Sequence, residues 1–200
     1  MKRFAVTWDY RCPFARNAHE HLAVALADGA DWDVTFLPFS LSQVHVPEGG
    51  TPVWDDPAKA PDLLALAAGL VVRDQYPERF LDAHVSLFAA RHAEGLDLRV
   101  PDVVARVLDG AGVPGDKVVA EVATSTPVQG VRCAHEQAVN EWAVFGVPTF
   151  VVVEDRAVFV RIMSRPQGNA ALARRTVEGV LELFDSMPDL NEFKYTTLSH

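Results

Sequence analysis

Cys12 lies in the run D-Y-R-C-P-F-A, between a stretch with strand character and one with helical periodicity. A cysteine at the first turn of a helix faces unpaired backbone N–H groups and the positive end of the helix dipole. Both favour the thiolate, so its pKa is expected to fall below the free value of about 8.5, into a range of roughly 3.5–7.5. Pro13 suits the first helical position, where its missing N–H would have been an orphan anyway. Arg16, four residues after Cys12, shares its helix face and adds positive potential. Cys12, Pro13 and Arg16 are therefore the candidate catalytic residues. The alternative is a small cysteine that only packs; its position, its proline and the order of elements agree in favouring chemistry. Tyr10 and Phe14 flank the helix start and are expected to line a cleft, while Trp8 is expected in the core.

The second candidate feature is G-V-P-T at Gly146–Thr149. A proline opening a strand needs a reason. A cis Val147–Pro148 bond is one, although only about one X-Pro bond in twenty is cis. Ser164 and Arg165 follow the last strand and offer a hydroxyl and a guanidinium to an anionic cofactor, or simply a solvated loop. Cys133 lies fifteen residues before Pro148. Along a continuous helix that is on the order of 20 Å of rise, against the roughly 7 Å between Cα atoms that a disulfide tolerates. It is expected to be a buried structural thiol. The seven histidines show no zinc spacing, so no metal is assigned. His92 and His135 are candidates to line the cleft, with ordinary packing or surface roles favoured.

These residues need elements to hold them. Arg3–Trp8 reads as a buried strand, followed by a helix to about Asp28 that Gly29 stops, then a strand over Trp32–Phe39. Ser40–Pro57, with P-E-G-G-T-P and D-D-P, reads as loop. From Ala60 to Ser125 the pattern is helical, with three apolar stripes: Leu63, Leu66, Ala67 and Leu70; Phe80, Leu81, His84, Val85 and Phe88; Val103, Val104, Val107 and Leu108. A helix over about Val128–Phe145 leads to the G-V-P-T-F-V-V-V strand, an E-D-R-A turn, a return strand over Val158–Ile162, and a helix over about Asn169–Phe184. The tail from Pro188 is expected to be ordered at first and to fade into disorder. The order is β-α-β, helical block, α-β-β-α. It divides the chain into residues 1–57, a helical insertion over 58–126, and a second half over 127–200.

Bulk properties agree with an ordinary globular protein. The chain has 200 residues, 49% hydrophobic and 22% charged, enough to bury a core without staples. A formal net charge of −9 repels phosphate backbones, so nucleic acid is not an expected partner. Two cysteines are too few for a disulfide scaffold. The start M-K-R-F-A-V-T-W-D-Y lacks the apolar run and small-residue cleavage site of a secretory signal, and no stretch has the length of a membrane span. The expected setting is a reducing cytoplasm, away from membranes. The apolar-rich insertion also offers a surface for a homodimer.

Strand–C-P-x-x–helix together with a later helix–G-V-P-T-F–strand resembles the DsbA family: a thioredoxin-like fold with a helical insertion domain. The segments S-R-P-Q-G, P-D-L-N-E-F-K-Y-T and L-F-A-A-R-H-A-E-G-L-D are similar to the actinobacterial branch that includes mycothiol-dependent nitroreductases. The resemblance implies that Val147 and Pro148 form a cis-proline loop that faces Cys12 and presents a backbone edge to a bound thiol. With Tyr10, Phe14, Ala15, Ser164 and Arg165 they make up the expected thiol- and substrate-binding set. One departure matters. The family's redox motif carries a second cysteine three residues after the first, and here that residue is Ala15. A dithiol mechanism is lost, leaving monothiol chemistry with a low-molecular-weight thiol, mycothiol or glutathione. Relatives with serine at the first position, kappa-class glutathione transferases and chromene-carboxylate isomerases, imply an alternative in which the thiol is a cofactor for transfer or isomerisation. A redox-inactive binding module is a third reading.

Overall fold

The strands among the described residues form a single mixed sheet. The computed structural model describes residues 1–152, 156–192 and 194. Strand β1 (Lys2–Trp8) pairs in parallel with β2 (Trp32–Pro38) and antiparallel with β3 (Thr149–Val152), which pairs antiparallel with β4 (Arg156–Phe159). A parallel neighbour requires a crossover, and helix α1 (Pro13–Ala27) supplies it. The strand β1 alternation places Phe4, Val6 and Trp8 in the core. Phe4 stacks on Phe150 of β3 with centroids 5.9 Å apart, and Phe150 meets Phe184 of helix α8 (Ala170–Ser186). Gly29, at φ +80°, turns the chain out of α1, a conformation open to glycine at little cost.

The fold is the mixed α/β thioredoxin-like one expected, with differences in its elements. The Ser40–Pro57 segment contains one helical turn, α2 (Leu41–Val44), where only loop was expected; the Ser40 hydroxyl caps it by accepting from the Gln43 N–H at 3.2 Å. The helical block holds α3 (Ala60–Gln75), α4 (Phe80–His92) and α5 (Pro101–Gly110), matching the three stripes, and then α6 (Gly115–Val122), which the pattern did not reveal. Helix α7 (Thr126–Trp142) ends three residues earlier than expected, and β4 lies two to three residues earlier than the expected return strand. Of the expected E-D-R-A turn, Arg156 and Ala157 belong to β4 instead, while its first two residues and the end of the tail fall outside the described residues.

Packing ties the insertion to the sheet. Helix α1 lies against α8 and α4, and α7 against α3 and β2. Helices α5 and α6 approach so closely that a Cβ on Gly115 would overlap the Ala105 backbone. No helix among the described residues is long and apolar enough to cross a membrane.

Candidate active site

The C-terminal end of β1 runs into a turn that places Cys12 at the N-cap of α1. Cys12 is extended, with φ −97° and ψ 118°. Its amide donates to the Asp9 carbonyl at 3.1 Å, and its own carbonyl accepts the first helical bond from Arg16. The Asp9 carboxylate braces the turn by accepting from the Arg11 N–H at 2.9 Å and the Leu41 N–H at 2.8 Å. The Arg11 guanidinium donates to the Ser42 hydroxyl and fastens the turn to α2. Pro13 holds the first helical position.

The Cys12 sulfur accepts from the Ala15 N–H at 3.4 Å and donates its proton to the Val147 carbonyl at 3.3 Å. The Val147–Pro148 bond is cis. The two motifs, 135 residues apart, therefore meet at one sulfur atom. Threonines fix the facing loop. The Thr149 N–H donates to the Thr7 hydroxyl at 2.9 Å, and the Thr149 hydroxyl donates to the Gly146 carbonyl at 2.8 Å. Thr149 closes the G-V-P-T run noted in the sequence and opens β3, whereas Thr7, a polar residue within an apolar strand, did not stand out.

The electrostatics of the sulfur differ from expectation. Cys12 is 8% exposed. Burial pushes its thiol above the ordinary value. The Ala15 and Phe14 N–H groups and the Arg161 guanidinium pull it down, and Asp9 pushes it up. Loss of water outweighs the helix start because the N–H contact is long and sulfur accepts weakly. The sequence pattern located the helix start but carried no measure of the sulfur's burial.

Arg16 is buried and pairs with Glu20 at 2.7 Å, and Arg165 reaches the same carboxylate at 3.6 Å. That single carboxylate is shared by both guanidiniums and offsets part of their joint positive charge. The R-x-x-x-E spacing of Arg16 and Glu20 was a readable sign of this pairing. Arg161, which the sequence reading passed over, is the cation that acts on the Cys12 sulfur. Ser164 and Arg165 are exposed, and the Ser164 carbonyl accepts from His21 Nε2 at 3.0 Å.

Phe14 is half-buried, whereas Ala15 and Val147 are buried beside the sulfur. Tyr10 does not line a cleft: it is 2% exposed and packs edge-on against Phe88. Its hydroxyl opens a buried chain, Tyr10 to His84 Nδ1 at 2.8 Å, His84 Nε2 to His19 Nδ1 at 2.9 Å, and His19 Nε2 to the Thr7 carbonyl at 3.1 Å. The carbonyl only accepts, so His19 Nε2 carries its proton. His19 Nδ1 then accepts from His84 Nε2–H, and His84 Nδ1 accepts from the tyrosine. Burial keeps both rings neutral, lowering His19 to about 4 and His84 well below the ordinary histidine value. Gly69 leaves room for the Tyr10 hydroxyl, which a Cβ there would strike. His92 also supports the turn, donating from Nε2 to the Tyr10 carbonyl at 2.8 Å. His135 packs on Phe39, with centroids 4.2 Å apart.

Cys133 corrects an expectation: it is exposed rather than buried, and both cysteines are free. Among the described residues no group of three or more His, Cys, Asp or Glu is placed to hold a metal.

The family described as the DSBA-like thioredoxin domain matches residues 6–164. No curated protein matches the sequence. Among solved structures, Pseudomonas aeruginosa DsbA is similar at 22% identity and TM-score 0.58, covering 92% of this chain and 86% of that one. The cytosolic disulfide reductase DsbM from Pseudomonas aeruginosa, solved with GSH, is similar at 18% identity and TM-score 0.58, covering 90% and 100%. A 2-hydroxychromene-2-carboxylate isomerase is similar at 15% identity and TM-score 0.60, covering 94% and 100%. At these identities the likeness is one of fold.

Proposed function

Because the chain belongs to the DSBA-like thioredoxin domain family, we propose that it is a thiol–disulfide oxidoreductase working through the single thiol of Cys12 and a low-molecular-weight thiol, mycothiol or glutathione. The observation that carries this reading is the meeting of the Cys12 sulfur with the Val147 carbonyl beside the cis proline. Cys12 loses its proton to solvent and attacks an oxidised small thiol, forming a protein–thiol mixed disulfide and expelling one small thiolate. A second small thiolate attacks the mixed disulfide at the small thiol's sulfur. Cys12 leaves as the thiolate and the small disulfide is regenerated. With a different disulfide as the first partner, the two steps release one substrate thiol and leave the other half as a mixed disulfide with the small thiol. In a second round Cys12 attacks the small thiol's sulfur of that mixed disulfide, releasing the second substrate thiol and then the oxidised small thiol, so that two small thiols are consumed. Ala15 leaves no neighbouring sulfur to short-circuit this sequence. A cytosolic disulfide reductase of the same fold, solved with GSH, supports both the small-thiol partner and a cytoplasmic setting.

The buried, protonated thiol favours a second reading. As an S–H donor, Cys12 could position the sulfur of a bound thiol cofactor for transfer or isomerisation without itself forming a disulfide. The isomerase of similar fold supports this. A pair of variants separates the two. Under the first reading, the wild-type mixed disulfide persists until reduced small thiol is added, whereas Ala15→Cys releases the small thiol at once as an internal disulfide closes. Cys12→Ser abolishes turnover. Full turnover by Cys12→Ser would overturn the first reading in favour of the second.

A further inference from the structure

A cation sits between the two motifs. Arg161 is exposed, just beyond β4, with its guanidinium 5.5 Å from the Phe14 ring centroid and 5.6 Å from that of Phe159. Phe14 stands two residues after Cys12. Phe159 packs against Gly146, where a Cβ would come within 3.3 Å of the ring, and its centroid is 5.2 Å from that of Phe145. Phe145 is 67% exposed, although it lies two residues before Val147. The guanidinium is thus clamped between an aromatic ring from the cysteine helix and one that rests on the facing loop. Two ring faces restrict the side chain's rotamers, so less entropy is lost when it meets a ligand.

Its charge has no carboxylate partner among the ion pairs of the described residues, whereas Arg16 and Arg165 share Glu20. It lies where its field reaches the sulfur. A planar fork of N–H donors suits a carboxylate. The exposed Phe145 ring gives the body of a small ligand an apolar rest.

We propose that Arg161, clamped by Phe14 and Phe159 beside Cys12, is a carboxylate-binding subsite that selects small thiols carrying a carboxylate over neutral ones. This refines the small-thiol reading above and rests on it for its biological meaning. Its test does not depend on Cys12 reacting.

The probes are S-methylglutathione, which has no free thiol, and the same compound with both carboxyls esterified. Binding is titrated calorimetrically to the full chain, to Arg161→Gln and to Arg161→Lys, all carrying Cys133→Ser. The unesterified probe should bind about tenfold more tightly than its diester, with the advantage shrinking as salt is raised. Arg161→Gln should erase the difference and Arg161→Lys should keep part of it. Equal binding of both probes to the parent chain, no binding of the unesterified probe, or discrimination that survives Arg161→Gln would each overturn the subsite. Selective binding by a chain whose Cys12 exchanges with no disulfide would uphold the subsite and sink the monothiol reading.

Discussion

Cys12 combines a helix start that stabilises an anion with a burial that opposes one, and burial wins. Alkylation by iodoacetamide in a Cys133→Ser background should therefore keep accelerating as pH rises past 9. A plateau below the ordinary thiol range would contradict this. The buried Tyr10–His84–His19 chain makes a second prediction. Tyr10→Phe removes the donor to His84 Nδ1 and leaves that nitrogen unpaired, costing about 1–3 kcal/mol in denaturant unfolding. An unchanged midpoint would mean that the hydroxyl bond is dispensable. The sequence made Cys12, Pro13 and the facing proline legible because a rare cysteine and two prolines stand at element boundaries. Arg161 was not legible: its role comes from Phe14 and Phe159, brought together only by the sheet. Tyr10 misled because a position beside a helix start says nothing about the helix α4 that covers it.

Among the elements, the insertion's first three helices were readable because each carries an apolar stripe at helical spacing. Helix α6 was not, since a short helix entered through G-V-P-G-D looks like a continuation of the preceding turn. Its entry depends on contact rather than pattern. Asp109 accepts from the Gly115 N–H at 2.9 Å, and Gly115 lies flush against the Ala105 backbone. Gly115→Ala should destabilise by about 1–3 kcal/mol or more through overpacking. Gly179→Ala, in α8 with nothing within 4 Å of the added Cβ, should stabilise by about 0.5–1 kcal/mol. Thermal melts of the two variants should move in opposite directions; the same sign for both would refute the packing argument. Histidine tells a similar story. His84 fitted the stripe of α4, but only the packed fold shows that it joins the insertion to α1 through His19.

For the molecule as a whole, several buried histidines set an acid limit. His19 and His135 are lowered to about 4, and His84 is also lowered well below the ordinary histidine value. The unfolded chain takes up these protons as pH falls through about 6.5, while the native protein does not until about 4. Stability is therefore full above about 6.5 and falls steadily between there and 4. Asp9 works the other way, since its raised carboxyl takes up a proton earlier in the native state. One carboxyl does not offset three histidines, so the urea midpoint at pH 5 should lie clearly below that at pH 7.5. Equal midpoints would show that the rings are hydrated or charged in the fold. The chemistry itself turns on a single sulfur and is most directly read by intact-protein mass spectrometry. After incubation of the Cys133→Ser chain with oxidised glutathione at pH 8.5, one glutathione adduct should appear, map to Cys12 and vanish on addition of reduced thiol. A chain that stays at its unmodified mass would contradict monothiol exchange at Cys12.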